Sequence, residues 1–202
     1  MAITNGYTTL EDFKRWVDPS GELFSPNARD DSVIEKCIEA ASRKIDELVQ
    51  SSFYARSETR FYNRPSSREL MLDADLLSIT TLTNGDGTEI SSSEYFFEPR
   101  NGRYYFKIVL KQSSSVAWED DSDGNSERVI SVAGTWGRAA SAPADIVEAC
   151  KLLAHAAYQK RSGQSVEGIA HVTAAGVVIS PKEIPETAMM IIERHRPIGV
   201  LY

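Results

Sequence analysis

Two long segments with helical hydrophobic periodicity lie far apart in the chain, and a block of two-residue alternation separates them. The first covers residues 30–49 and the second residues 143–160, with apolar positions recurring every three or four residues. Between residues 56 and 136 the helical period is lost and turn residues recur. This order predicts a helical unit interrupted by a β insert.

Two shorter helices are predicted outside these segments. Thr8 or Thr9 can cap a helix over residues 10–17, because a threonine side chain accepts a hydrogen bond from the first turn. Residues 181–194 show helical spacing again, and Pro185 limits the regular part to the residues that follow it. Four helices are therefore expected in total.

The β block is divided by turn signals. The strongest is the Asn-Gly-Asp-Gly run at residues 84–87, because Asn-Gly and Asp-Gly are typical of the tight turns of β-hairpins. A second turn is expected at residues 100–102. Residues 118–127 are an acidic loop, of which residues 119–127 are expected to form a mobile surface hairpin tip. The predicted strands are residues 59–62, 69–72, 77–83, 95–97, 104–110 and 128–135.

The predicted fold class is α+β, a small helical bundle that carries an inserted antiparallel β domain. Residues 1–54 and 138–202 are expected to form the helical core, and residues 55–137 the insert. A length of 202 residues suits one domain with such an insertion. The contacts expected between the two long helices join Ile34, Ile38, Ala41 and Ile45 to Ile146, Cys150, Leu153 and Ala157.

The charge balance limits the possible partners. A net charge of −7 argues against a protein that grips nucleic-acid phosphates, although DNA could pass such a surface without binding. The N-terminus shows no leader pattern and no stretch has membrane-spanning length, so a soluble protein made in a cytoplasm is expected. Cys37 and Cys150 lie on apolar helix faces and are expected to be buried thiols.

Metal binding is not predicted. If Glu119 is taken as the first position of a calcium loop, Asp121, Asp123 and Gly124 match its third, fifth and sixth positions. The twelfth position is then Ile130, so the bidentate glutamate ligand is missing. A solvated loop is the expected structure.

Catalytic residues and cofactors are not predicted either. His155, His171 and His195 are scattered, and none forms a ligand pair at metal spacing. No serine or cysteine has the context of a nucleophile elbow, and no glycine-rich phosphate loop is found. An enzyme is therefore not expected.

Aromatic residues of the insert could in principle stack on bases. In the sequence they lack an accompanying basic groove, so they are expected to be core residues or cross-strand pairs. These residues are Phe61, Tyr62, Tyr95, Phe96, Phe97, Tyr104, Tyr105 and Phe106.

The C-terminal residues Ile198, Val200, Leu201 and Tyr202 are apolar and follow Pro197, which cannot continue the preceding helix. Terminal residues are commonly frayed and polar. An apolar tail is explained either by docking on its own domain or by insertion into a partner. Both explanations stay open on composition alone.

Several stretches share their order and spacing with one known family. Residues 7–16 match an opening short helix, and residues 30–46 match a helix in which an acid pair precedes Ala-Ala-Ser. Residues 76–82 form a leucine–serine–β-branched strand, while residues 132–137 and 143–158 match a closing segment. With these features the chain resembles the head–tail connector, or adaptor, proteins of tailed phages, which complete the head beneath the portal.

The resemblance implies a structural virion protein of the phage neck, without catalytic residues or cofactors. Such proteins form rings under the portal, usually of twelve protomers, that extend the DNA channel and join the head to the tail or the next neck protein. Double-stranded DNA would pass without specific binding, which suits the negative charge. Family members engage the portal through their C-terminal parts, so the resemblance implies that the C-terminal tail contacts the portal or a neighbouring protomer through Ile198, Val200, Leu201 and Tyr202. The shorter connectors are nearly all helical, so the resemblance assigns no role to the β insert.

Other functions stay open at this point. The chain could be another neck component, such as a stopper or tail terminator, or a soluble non-viral binding module. A hydrolase is a third alternative. Size measurement separates the first class from the second, because a connector should be a ring or should form one when mixed with portal, whereas a binding module should stay a monomer or dimer.

Overall fold

The structure is a computed structural model that describes residues 3–21, 28–161, 171–172, 178–179 and 184–196. Its elements are α1 (Leu10–Val17), α2 (Ala28–Val49), β1 (Arg56–Tyr62), β2 (Glu69–Thr83), β3 (Tyr95–Glu98), β4 (Tyr105–Leu110), β5 (Ile130–Trp136), α3 (Ala144–Arg161), β6 (His171–Val172), β7 (Val178–Ile179) and α4 (Glu186–Arg194). The α+β fold class predicted from the sequence is confirmed.

The chain divides into two compact units. The helical unit comprises Met1–Gln50 and Ala142–Tyr202, and the β unit comprises Ser51–Ser141.

Thr9 caps α1 as expected, because its hydroxyl oxygen accepts a hydrogen bond of 3.1 Å from the backbone N–H of Asp12. None of the described helices is both long and apolar enough to cross a lipid bilayer.

Helices α2 and α3 pack against each other in the helical unit. Of the residues expected at this contact, all are buried except the half-buried Ala157. Leu153 is 8% exposed, while Ile38 and Cys150 are fully buried. Cys37 and Cys150 are free and buried, as predicted, and burial raises the pKa of both thiols.

Ser42, in the Ala-Ala-Ser run of α2, is a fully buried polar residue with a defined role. Its hydroxyl donates to the Ile38 carbonyl at 2.8 Å and accepts from the Tyr7 backbone N–H at 3.0 Å. The Tyr7 hydroxyl in turn hydrogen-bonds to Asp46. These bonds tie the segment before α1 to α2, so the serine both satisfies its own hydroxyl and anchors the chain.

The β unit contains an antiparallel sheet with the strand order β1-β5-β2-β4-β3. The prediction of separate strands at residues 69–72 and 77–83 is wrong, because both belong to β2. The first part of β2 pairs with β4 and the later part with β5. The register against β4 shifts between Met71 and Leu76, and the register against β5 shifts twice between Leu76 and Thr81. Asp73 and Asp75 lie where β2 changes its partner strand from β4 to β5. In the sequence, two polar residues at this point suggest a turn between two strands.

The prediction that residues 119–127 form a hairpin tip is also wrong. This loop leads from β4 to β5, and β2 lies between those strands. Trp118 is buried, and the Asn84 side chain donates to the Ala117 carbonyl at 2.8 Å and accepts from the Glu119 N–H at 3.0 Å. The expected turn at residues 84–87 is present, closed by an isolated bridge between Thr83 and Glu89.

Trp136 is the largest fully buried side chain of the sheet core. Its indole N–H donates to the Glu58 carbonyl at 3.0 Å. Gly134 is required two residues earlier, because a Cβ there would lie 2.3 Å from the Ser78 carbonyl oxygen. Gly137 has a φ of +138°, which favours glycine. The Gly-Thr-Trp-Gly run is thus explained by close strand packing and by the exit of the chain from β5.

Candidate interaction surfaces

An ion-pair cluster covers one face of the buried Trp136. The Arg60 guanidinium lies 4.6 Å from the indole centroid and pairs with Asp73 at 2.9 Å. The Tyr62 hydroxyl donates to Asp73 at 2.6 Å. Burial favours a higher pKa for the Asp73 carboxyl, but hydrogen bonds from Tyr62 and Arg60 outweigh it and hold the pKa below the ordinary value. The cluster is satisfied within the chain and has a structural role.

An open groove of about 510 Å³ runs along β3 and is called the β3 groove below. Its aromatic lining is formed by Tyr95, Phe96, Phe97 and Tyr105, and its cations are Arg100 and Lys111. Phe97 and Tyr105 stack across the two strands with their centroids 4.7 Å apart. The Arg100 guanidinium lies 4.2 Å from the Phe96 centroid.

These aromatic residues match their prediction in part. Tyr95 is buried, and Phe97 and Tyr105 form a cross-strand pair, as expected. The statement that no basic groove accompanies the aromatics is wrong, because Arg100 and Lys111 line the same groove. Arg100 comes from the turn after β3 and Lys111 from the end of β4, so the two cations are eleven positions apart in sequence.

A second open groove, of about 490 Å³, lies between the end of β1 and the start of β2. Phe61 and Met71 line it and are large apolar side chains left in solvent, 53% and 45% exposed. Phe61 is therefore an exception to the expected core or paired role. Exposed apolar side chains at a groove are typical of contact surfaces.

The acidic loop, residues 119–127, carries five carboxylates with different environments. Asp120 pairs with Arg64 at 2.5 Å, and one Asp121 oxygen accepts backbone N–H bonds from Asp123 and Asn125. Asp121 thus holds the loop's own backbone. Within the described ranges, His, Cys, Asp and Glu form no group of three that could hold a metal ion.

His171 begins β6, and the two other histidines of the helical unit lie at separate places on α3 and after α4. His155 on α3 meets Trp16 edge-on, with centroids 5.9 Å apart, and burial lowers the pKa of its imidazole. His195 lies 2.7 Å from Asp145, linking the end of α4 to the start of α3. Burial favours a higher pKa for Asp145, but the hydrogen bond from His195 holds the pKa below its ordinary value.

His155 should make the stability of the protein depend on pH. Its pKa is depressed in the folded state, so the unfolded chain binds more protons below about pH 6.5. The stabilisation is present above that value and is lost as the pH falls. In chemical denaturation between about pH 7.5 and 5.5, His155→Gln should lose less unfolding free energy than the wild type. His195→Gln serves as the control and should retain the His155-dependent loss; equal pH slopes for wild type and His155→Gln would contradict the assignment.

The residues named as the C-terminal contact, Ile198, Val200, Leu201 and Tyr202, lie outside the described residues. The last described residue is Arg196, whose guanidinium donates to the Leu48 carbonyl at 3.0 Å. This bond ties the end of α4 to the last turn of α2. The contact role of the four residues stays a prediction.

Comparison with known proteins defines the family. The model of the head completion protein family matches residues 7–198, nearly the whole chain. The chain therefore belongs to the head completion protein family, and the resemblance drawn from the sequence is confirmed. A comparison with curated protein sequences finds no match.

Solved structures share the fold at low sequence identity. A chain in the neck of an empty gene transfer agent particle, computed with C6 symmetry, is 19% identical with a TM-score of 0.58. A chain in the virion of a native gene transfer agent particle is 18% identical with a TM-score of 0.61, and one in a native neck computed with C12 symmetry is 17% identical with a TM-score of 0.57. Each match covers 100% of this chain and 94–95% of the other.

Proposed function

We propose that this protein is a structural component of the neck of a phage-like particle. In this role it forms a ring under the portal, extends the DNA channel and joins the head to the tail or to the next neck protein. The family match over residues 7–198 carries the proposal. The full-length likeness to chains of gene transfer agent particles supports it, and the C6 and C12 symmetry of two of those neck structures suits a ring of twelve.

The charge and surfaces of the chain fit a ring around a DNA channel. A net charge of −7 disfavours tight binding of phosphates, so DNA could move past the ring. A head-to-tail ring needs two different contact surfaces on each protomer. The described sheet offers unlike surfaces at β3 and at β1, its two edge strands. The role is one of assembly rather than catalysis.

A measurement of mass in solution tests this function. Mass photometry of the protein with its cognate portal should show a complex that gains about twelve copies per portal. The protein without portal should give a monomer, a partial ring or a full ring. A protein that stays monomeric or dimeric and never joins the portal would instead be a soluble binding module.

The C-terminal segment is proposed to contact the portal or a neighbouring protomer. An extended apolar segment can add to a sheet edge of a partner, where main-chain hydrogen bonds give affinity and alternate side chains enter pockets. Ile198, Val200, Leu201 and Tyr202 have the composition for this contact.

Deletion of residues 197–202 should leave the fold intact and weaken portal attachment or ring closure. The deletion spares Arg196, whose bond to the Leu48 carbonyl belongs to the described fold. Circular dichroism and thermal unfolding check the fold, and co-sedimentation with portal measures attachment. A variant of unchanged length, Ile198→Ala with Leu201→Ala, tests whether the apolar side chains, rather than the length of the tail, carry the attachment. Wild-type assembly of the deletion variant would contradict this contact.

A further inference from the structure

We propose that the β3 groove receives the acidic loop of a second copy of this chain, giving the β unit a head-to-tail contact. The inference rests on the proposed function, since it names a contact through which the ring would close. The groove is defined by Phe96, Arg100 and Lys111, and the loop by residues 119–127.

The groove combines apolar surface with cations that lack a strong partner. Arg100 is exposed and lies over the Phe96 ring, and within the described ranges no carboxylate forms an ion pair with it. Lys111 contacts the Ser93 carbonyl, and the nearby Glu94 carboxylate offsets part of its charge. Arg100 is therefore the principal cation of the groove. A guanidinium that lies over an aromatic ring can still donate hydrogen bonds to a carboxylate.

The loop supplies the complementary charge. Asp120 and Asp121 are occupied by Arg64 and by backbone N–H groups, respectively. Glu119, Asp123 and Glu127 are exposed, and in the described part of the chain they form no ion pair. The internal bonds of Asp121 keep the loop in one shape, which lowers the entropy lost on docking.

The loop and the groove are attached to the two strands that end the strand order of the sheet, β1 and β3. The backbone N–H of Arg64 donates to the Ser126 carbonyl at 2.8 Å, and the backbone N–H of Arg128 donates to the Asn63 side chain at 2.9 Å. These two bonds hold the loop beside the end of β1. The groove is built on β3, the edge strand at the other side. Complementary surfaces at opposite edges produce a heterologous contact that repeats from copy to copy, as a closed ring requires.

The contact should be electrostatic in part and should respond to charge reversal. Arg100→Glu should weaken the association between copies, measured as ring formation on portal, by at least about tenfold, because like charges then face each other. Asp123→Lys with Glu127→Lys should weaken it similarly, and all three changes together should restore most of the loss. Arg103→Glu is the matched control, since it makes the same change in the same turn at a residue that does not line the groove. Association of the wild type should also weaken with salt, as the Debye length falls from about 10 Å at 0.1 M to about 3 Å at 1 M.

Site-specific cross-linking decides the geometry. A mixture of the full-length Asn101→Cys and Ser122→Cys proteins, alone and on portal, should give disulfide-linked heterodimers, because Asn101 lines the groove and Ser122 lies in the loop. The native thiols are buried and stay out of the reaction. A mixture of Asn101→Cys with Thr80→Cys, an exposed position on β2, should give none.

The outcomes separate this inference from the proposed function. Rings on portal without the heterodimer, and with Arg100→Glu behaving like Arg103→Glu, would overturn the contact and leave the ring function standing. Heterodimers without a ring on portal would support the contact and overturn the function; absence of both would overturn both. Loss of binding to another neck protein, with self-association unchanged, would assign the loop to that partner and overturn the contact between copies.

Discussion

Replacing Arg138 by methionine should lower the unfolding free energy by up to about 3–5 kcal/mol, the range for removing one partner of a buried ion pair, because the pair with Asp75 is largely shielded from solvent. The Arg138 guanidinium lies 2.9 Å from Asp75, and the two side chains are only 9% and 13% exposed. Ser51 also donates to the Asp75 carboxylate at 2.6 Å. Without the arginine that carboxylate stays buried beside a single neutral donor. Urea denaturation measures the loss.

Two further variants separate the buried charge from general damage. Arg138→Met with Asp75→Leu removes both charges and should be less destabilising than Arg138→Met alone, as a double-mutant cycle would report. Arg64→Met breaks the solvated pair with Asp120, whose side chains are 37% and 35% exposed, and should cost no more than about 1 kcal/mol. Equal losses from Arg138→Met and Arg64→Met would contradict a buried, stabilised Asp75.

Replacing Leu153 by alanine should destabilise the helical unit by about 2–5 kcal/mol, the range for large-to-small changes in a core. Leu153 lies on α3 against α2 and is 8% exposed. The change removes buried apolar surface and leaves a cavity that tightly packed helices cannot fill. Thermal or urea unfolding followed by helical circular dichroism measures the effect.

Leu152→Ala is the matched control, because it makes the same change one position away at a half-buried side chain. It should cost clearly less than Leu153→Ala, since less surface leaves the core. A larger loss for Leu152→Ala would mean that the other side of α3 makes the main packing contact.

Periodic features of the fold could be predicted from the sequence. The spacing of Ile34, Ile38 and Ile45 marks the face of α2 that is buried, and Thr9 marks the start of α1 through its side-chain cap. Pro185 correctly marks the residue after which α4 begins. Each of these signals is local, because it depends on residues within one or two helical turns.

Features that depend on long-range pairing could not be predicted in the same way. Asp73 and Asp75 resemble a turn, yet they stay within β2 because Arg60, Tyr62 and Arg138 satisfy their carboxylates from other parts of the chain. The acidic loop resembles a hairpin tip only if β4 and β5 are neighbours, and β2 separates them. The cations of the β3 groove become visible only once Arg100 and Lys111 are brought to one surface.

Electron microscopy of the protein bound to its cognate portal tests the central claim most directly. The account predicts a ring of twelve copies coaxial with the portal, continuing its channel, with one copy of the family fold in each subunit. Portal particles that carry no added density, or that carry single copies without a closed ring, would contradict the claim that this protein forms a portal-bound ring in the neck.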